Sequence, residues 1–308
     1  MNVCPKRCPQ LWITVVARRP ITMRSVQALH PLAGLEPREE DEFQRVLAGY
    51  RRELLAREPG VRLGADPEEV HKQRVATRRL RSLLRSARPL VDDPTRAEEL
   101  REELRWLGAL LGEVRDRDVL IEYLVHELAT VEEAAAFGAV LELLEAERQE
   151  ARKRLVDALD SPRYARLLAE LEHTPSLSGG ADLQSVAAGD YGRLRKAARA
   201  LGVDAADEEL HRLRIRAKRA RYAAEAAGAS KRFVNRAKDL QDVLGEYQDA
   251  VVAEEHIRDL VSRVRGTGRT ALAAGRLIER QRGRRVEARR AWPKAWKRLE
   301  RAGDAEWR

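Results

Sequence analysis

From about residue 38 onward, apolar positions recur at steps of three and four, and no stretch of strand length alternates with period two. The pattern predicts an almost entirely α-helical chain. A first helix, 37–57, carries Phe43, Val46, Leu47 and Tyr50 as its inner stripe, with acids in its first turn and Pro59, Gly60 and Gly64 closing it. Asp66-Pro67-Glu68-Glu69 has the chemistry of a helix start: a capping carboxylate, proline at the first helical position, then acids. It launches a helix expected to end near Pro89. Asp93-Pro94-Thr95 opens another that reaches Gly112, and 113–129 and 131–159 read as two more. Ser161-Pro162 starts a short helix ending at His173. The segment 174–189 is rich in Ser, Gly and Pro and reads as a connection. Helices are expected again over 191–201, 205–227, 231–244, 248–265 and 270–299.

Composition agrees with this reading. The 308 residues are 35% charged and only 5% aromatic, and Ala, Leu, Arg and Glu dominate. No apolar run approaches the roughly 18–20 residues that span a bilayer. Residues 1–37 differ from the rest. They are expected to be a disordered extension, or to reflect a start placed too early, with Met23 as the true one. Their apolar run, 11–17, is short for a secretory signal and is followed by Arg18-Arg19 rather than small residues. The two cysteines, Cys4 and Cys8, lack a second ligand pair for zinc and do not make a disulfide scaffold.

Charge changes the picture more. The balance is +9, favouring acidic partners. Between Val70 and Pro89 seven residues are Lys or Arg and none is acidic. Arg74, Arg78, Arg81, Arg85 and Arg88 fall on one helical face, with His71 one step before them, while Ala76, Leu80, Leu83 and Ala87 form the opposite face. Like charges stacked this way repel, so the stripe points to a polyanionic partner. A second stripe, His211, Arg214, Lys218 and Arg221, matches the first at an offset of 140 residues, with Arg79 on Arg219. Downstream, Arg105, Leu107, Gly112, Glu113 and Asp116 match Lys238, Leu240, Gly245, Glu246 and Asp249 at an offset of 133. Two halves with the same ordered motifs imply an internal duplication with pseudo-twofold symmetry.

The V-H-x-x-R-V-A-x-R-R-L-R run beginning at Val70, and its counterpart L-H-x-L-R-I-x-A-K-R-x-R-Y at Leu210, resemble the CHAD domain, the conserved histidine α-helical domain. The runs around Gly112 and Gly245 match as well, and the resemblance covers roughly residues 38–290. It implies an all-α fold of two helical-bundle halves, 38–173 and 190–300, joined by 174–189 and followed by a tail, 301–308, around a basic central cavity. It also implies non-catalytic binding of inorganic polyphosphate, with no cofactor. Members often sit beside a triphosphate-processing CYTH domain; this chain shows no β-rich segment of that kind.

The expected phosphate contacts are Arg74, Arg78, Arg81, Arg85, Arg214, Lys218 and Arg221, since guanidinium forks suit phosphoryl oxygens. The family motif adds Arg105 and Lys238. His71 and His211 are candidates either for phosphate contact or for a structural hydrogen bond. Arg79 and Arg219 lie on a different face and read equally well as surface charges. Asp116 and Asp118, two apart on a helix, point about 200° from one another and do not share an ion easily. Asp116 and Asp249 are expected to orient cations or cap helices, and Gly112 and Gly245 to permit close approach or a helix junction. Arg276, Arg280, Arg284, Arg285, Arg289 and Arg290 of the last helix read as an extension of the anion site or a contact to nucleic acid, and Trp292 and Trp296 read as a packing patch. No P-loop, nucleophile elbow or zinc-ligand cluster is present in the sequence. The expectation is a cytoplasmic binding or targeting module, associated with polyphosphate granules, with no membrane partner and an open oligomeric state. The alternatives are a nucleic-acid-binding helical protein and a metal-dependent phosphohydrolase using Asp116 or Asp249.

Overall fold

A computed structural model describes residues 41–307, Val203 excepted. The expected extension of 1–37, with Cys4 and Cys8, lies outside the described residues. Among the described residues nine α-helices follow one another: α1 (Glu42–Leu63), α2 (Pro67–Ala87), α3 (Pro94–Leu128), α4 (Gly138–Leu159), α5 (Pro162–Glu170), α6 (Leu183–Arg199), α7 (Asp207–Ala226), α8 (Lys231–Arg263) and α9 (Gly268–Glu306). Among the described residues the only β pairing is one isolated antiparallel bridge, Val91 to Leu177. No described helix is long and apolar enough to cross a membrane.

The sequence marks most helix starts. Asp66 accepts from the Glu68 amide with Pro67 at the first position, Asp93 accepts from Arg96, and Ser161 accepts from Tyr164. Each side-chain oxygen satisfies an amide that the first helical turn leaves unpaired.

Helix continuity was less visible. Gly112 and Gly245 do not divide the helices, so the separate elements expected over 113–129 and 248–265 are instead the second halves of α3 and α8. Leu104, Leu107, Leu111 and Val114 form an unbroken buried stripe through Gly112, as do Leu240, Leu244 and Tyr247 through Gly245. Burial of that stripe outweighs the roughly 1 kcal/mol that a mid-helix glycine costs. In the same way α1 runs through Pro59 and Gly60. Val61 is fully buried, Gly64 (φ 69°) forms the left-handed cap, and Arg152 donates to the Val61 and Arg62 carbonyls. Helix α4 begins at Gly138 after a 3-10 turn, later than the expected 131. The connection expected over 174–189 is helical from Leu183, which Asp182 caps, and α9 continues to Glu306 through most of the expected tail.

Three apolar cores hold these helices. The first joins α1–α5 and the start of α6, and the second joins α6, α7, α8 and the end of α9. The third joins the far ends of α3 and α8 to α4 and the start of α9. The tryptophans Trp292 and Trp296 are buried in the second core, as expected of a packing patch. There Tyr191 meets Phe233 edge-on at 5.5 Å, and Phe233 meets Trp307 at 5.7 Å. A methyl group on Gly303 would collide with the Tyr191 ring. Gly303→Ala is therefore expected to destabilise by about 1–3 kcal/mol, despite alanine's better helix propensity. The midpoint of urea unfolding should fall with the slope unchanged.

Candidate anion site at the crossing of α2 and α7

Helices α2 and α7 each bury one alanine- and leucine-rich face in a core, which turns their basic stripes toward one another where the two pack. Arg78 sits over the Tyr222 ring at 5.7 Å and Arg221 over the same ring at 4.8 Å, so one buried aromatic holds a guanidinium from each half. Lys218 feels Arg74 and Arg78 from α2, Arg214 from its own helix and Asp249 from α8.

Residues at matching places in the two stripes make matching ion pairs beside the crossing. Arg74 pairs with Asp116 at 3.3 Å, and its counterpart Arg214 pairs with Asp249 at 3.5 Å. Gly112 lies against the Arg74 guanidinium and Gly245 against that of Arg214, at 3.5 Å and 3.8 Å from where a Cβ would stand. The two glycines thus serve close approach inside continuous helices. Asp116 and Asp249 orient cations, and Asp118 turns away to Arg148.

Charge at the centre is only partly compensated. Glu225 lies 3.4 Å from Arg221. Among the described residues, Arg78, Arg81 and Lys218 have no carboxylate partner within ion-pair distance. The Nε atoms of Arg78, Arg81, Arg214 and Arg221 are buried without an acceptor. A buried donor left unpaired costs about 1–3 kcal/mol, so this arrangement opposes folding. Burial holds the Arg78 and Arg81 guanidinium groups below their usual range, and burial followed by the neighbouring arginines pushes Lys218 down to about 7.

The Lys218 shift predicts a pH dependence. Its folded value lies below that of the unfolded chain, so between pH 7 and about 10.5 the unfolded state binds more protons, and stability rises with pH across that window. Lys218→Met should stabilise the free protein at pH 6.5, and this advantage should shrink steadily toward pH 10. Urea unfolding of both proteins across that range measures the difference.

The remaining candidates are placed unequally. His71 is half-buried, and burial with the nearby Arg115 holds it below the usual histidine range, so it is neutral at pH 7. His211 is exposed and donates from Nδ1 to the Gln248 Oε1 at 2.8 Å. Arg105 is largely exposed, pairs with Glu102 at 2.6 Å and stands near Arg81 at the margin. Lys238 lines a separate open groove of about 440 Å³ with Arg232, Arg236, Asp239 and Asp242. Of the last-helix arginines, Arg285 and Arg289 are bound to Asp207 and Tyr247, and Arg280 to Glu127.

Arg79 and Arg219 are not simple surface charges. Arg79 joins Glu53 of α1 (3.5 Å) to Glu225 of α7 (3.6 Å). Arg219 faces a cavity of about 540 Å³ together with Arg85, Arg88, Arg101 and Arg193. Arg101, which the sequence reading omitted, stands one helical turn before Arg105, and that spacing is the signal for it. Among the described residues no three of His, Cys, Asp and Glu converge as a metal-holding group.

The fold and the site together define an all-α protein with a cluster of cations at the crossing of two helices. The chain belongs to the CHAD domain family, whose match spans residues 45–258. It is 34% identical over 257 residues to two uncharacterised proteins of Mycobacterium tuberculosis strains CDC 1551 and H37Rv, covering 78% of this chain. It spans half the length of those relatives. Among solved structures it is similar to PptA from Streptomyces chartreusis, with a TM-score of 0.71, 24% identity, and coverage of 83% of this chain and 98% of that one. It is also similar to the CHAD domain of the plant Ricinus communis, with a TM-score of 0.67, 27% identity, and coverage of 82% and 90%. These likenesses establish the all-helical CHAD fold.

Proposed function

We propose that this protein binds inorganic polyphosphate, non-catalytically, along the basic faces of α2 and α7. The observation that carries the reading is the approach of Arg78 and Lys218 across the crossing, with Arg81 further along α2, none of the three having a carboxylate partner within ion-pair distance among the described residues. Guanidinium and ammonium groups at this density suit a ligand with closely repeated charge, and phosphoryl oxygens would supply the acceptors that the protein withholds. The family resemblance implies the same ligand. Such binding would also hold the protein on polyphosphate deposits.

Two features weigh against the alternatives. Tyr222, the aromatic ring within the cluster, is 2% exposed and covered by guanidinium groups, so it offers no face to a nucleobase. Asp116 and Asp249, the carboxylates a phosphohydrolase would need, are paired with Arg74 and Arg214.

The test is calorimetric titration with long-chain polyphosphate at two salt concentrations, with duplex DNA as competitor. Saturable binding that DNA fails to displace supports the reading. Binding that DNA matches charge for charge, and that collapses with salt, refutes it.

A further inference from the structure

The two basic stripes differ beyond the crossing. Helix α2 continues past Arg81 with Arg85 and Arg88, whereas the offset of 140 places Glu225 and Gly228 at the matching positions of the second half. Glu225 pairs with Arg221 and, together with Glu53, neutralises Arg79. That corner of the crossing is closed by ion pairs.

The opposite corner is open and basic. It holds the cavity of about 540 Å³ lined by Arg85, Arg88, Arg101, Arg193 and Arg219. Its two acids are already engaged. Glu98 accepts from the Arg101 Nε at 2.9 Å and lies 3.7 Å from Arg88. Asp190 is buried and accepts from the Ser86 hydroxyl and from Arg193 at 2.6 Å. Among the described residues Arg85 and Arg219 have no ion-pair partner. Burial and the charge of Arg85 push Arg219 down to about 10, so it remains a cation at neutral pH.

We propose that this cavity is a second anion subsite, which takes an extended polyphosphate chain beyond Arg81 and gives its path a single exit. The proposal rests on the polyphosphate reading above and adds Arg88, Arg101, Arg193 and Arg219 to the ligand's surroundings. From Arg74 to Arg88 the stripe runs about 21 Å along α2 at 1.5 Å per residue. A tripolyphosphate covers one end of that distance, whereas a long chain occupies both ends together. The second contact then acts intramolecularly, so it adds affinity only for ligands long enough to reach it.

The experiment compares tripolyphosphate and long-chain polyphosphate by calorimetry on the full chain and on Arg85→Glu/Arg219→Glu. The milder Arg85→Gln/Arg219→Gln pair is measured alongside it, and thermal unfolding checks the fold of each. The charge-reversal variant should lose at least tenfold more affinity for the long chain than for tripolyphosphate, whose own loss reflects the changed local field. The glutamine variant should show the same discrimination at smaller size. Unchanged long-chain affinity, or equal losses for both ligands, would overturn the subsite. If the native protein binds no long chain, the underlying reading fails instead, and the two failures are distinct.

Discussion

Reversing the charge of Arg78 and Lys218 together is expected to weaken polyphosphate binding at least a hundredfold. Each is a half-buried basic side chain with no carboxylate partner within ion-pair distance among the described residues, facing the other across the α2–α7 crossing. A hydrogen bond to a charged group contributes about 1.5–3 kcal/mol, and two such losses amount to roughly two to four orders of magnitude in affinity. Reversal adds repulsion to that loss. Arg290→Glu/Arg298→Glu provides the comparison, since both residues are exposed on α9 and the net charge changes equally. It should cost only the few-fold expected of a weaker long-range field, and less at higher salt. Equal losses in the two double variants would mean diffuse surface attraction rather than a site.

Tyr222→Ala is expected to be the most damaging single substitution near the site. The ring is 2% exposed and holds Arg78 from one half and Arg221 from the other. Removing a buried aromatic costs about 3–5 kcal/mol through lost burial and the cavity left behind. Here it also frees two guanidinium groups to separate under their mutual repulsion, so affinity should fall beyond what lost stability explains. Tyr222→Phe keeps the ring. The hydroxyl is buried beside the Arg78 guanidinium but falls short of full hydrogen-bond geometry, so its removal should cost far less stability and affinity than loss of the ring. Chemical unfolding and calorimetry on both variants separate the ring from the hydroxyl. A Tyr222→Ala protein that stays stable and binds normally would show that the ring does not organise the cations.

Much of the site was legible in the spacing of residues. The offset of 140 that matched Arg74 to Arg214, and the offset of 133 that matched Asp116 to Asp249, reappear as equivalent ion pairs. Gly112 and Gly245 reappear as equivalent neighbours of those arginines. Lys238 shows where the same logic stops. Its place in the repeat matches Arg105, yet it lines a groove with other partners, because a motif match fixes position along a helix but not which helix packs over it.

What the sequence determined by itself is local. Helical period, the caps at Asp66, Asp93 and Ser161, and the division of α2 and α7 into basic and apolar faces depend on residues within a few turns of one another. The tertiary structure decided everything that depends on contacts between distant segments. It carried α3 and α8 through their glycines, because buried leucines on both sides outweigh a local propensity. It set Glu53 and Glu225 against Arg79 while leaving Arg219 to face a cavity, although the two arginines occupy matching places in the repeat. Whether a cation is neutralised or left for a ligand depends on which carboxylates come within a few ångströms of it, and that distance is fixed by the packing of whole helices.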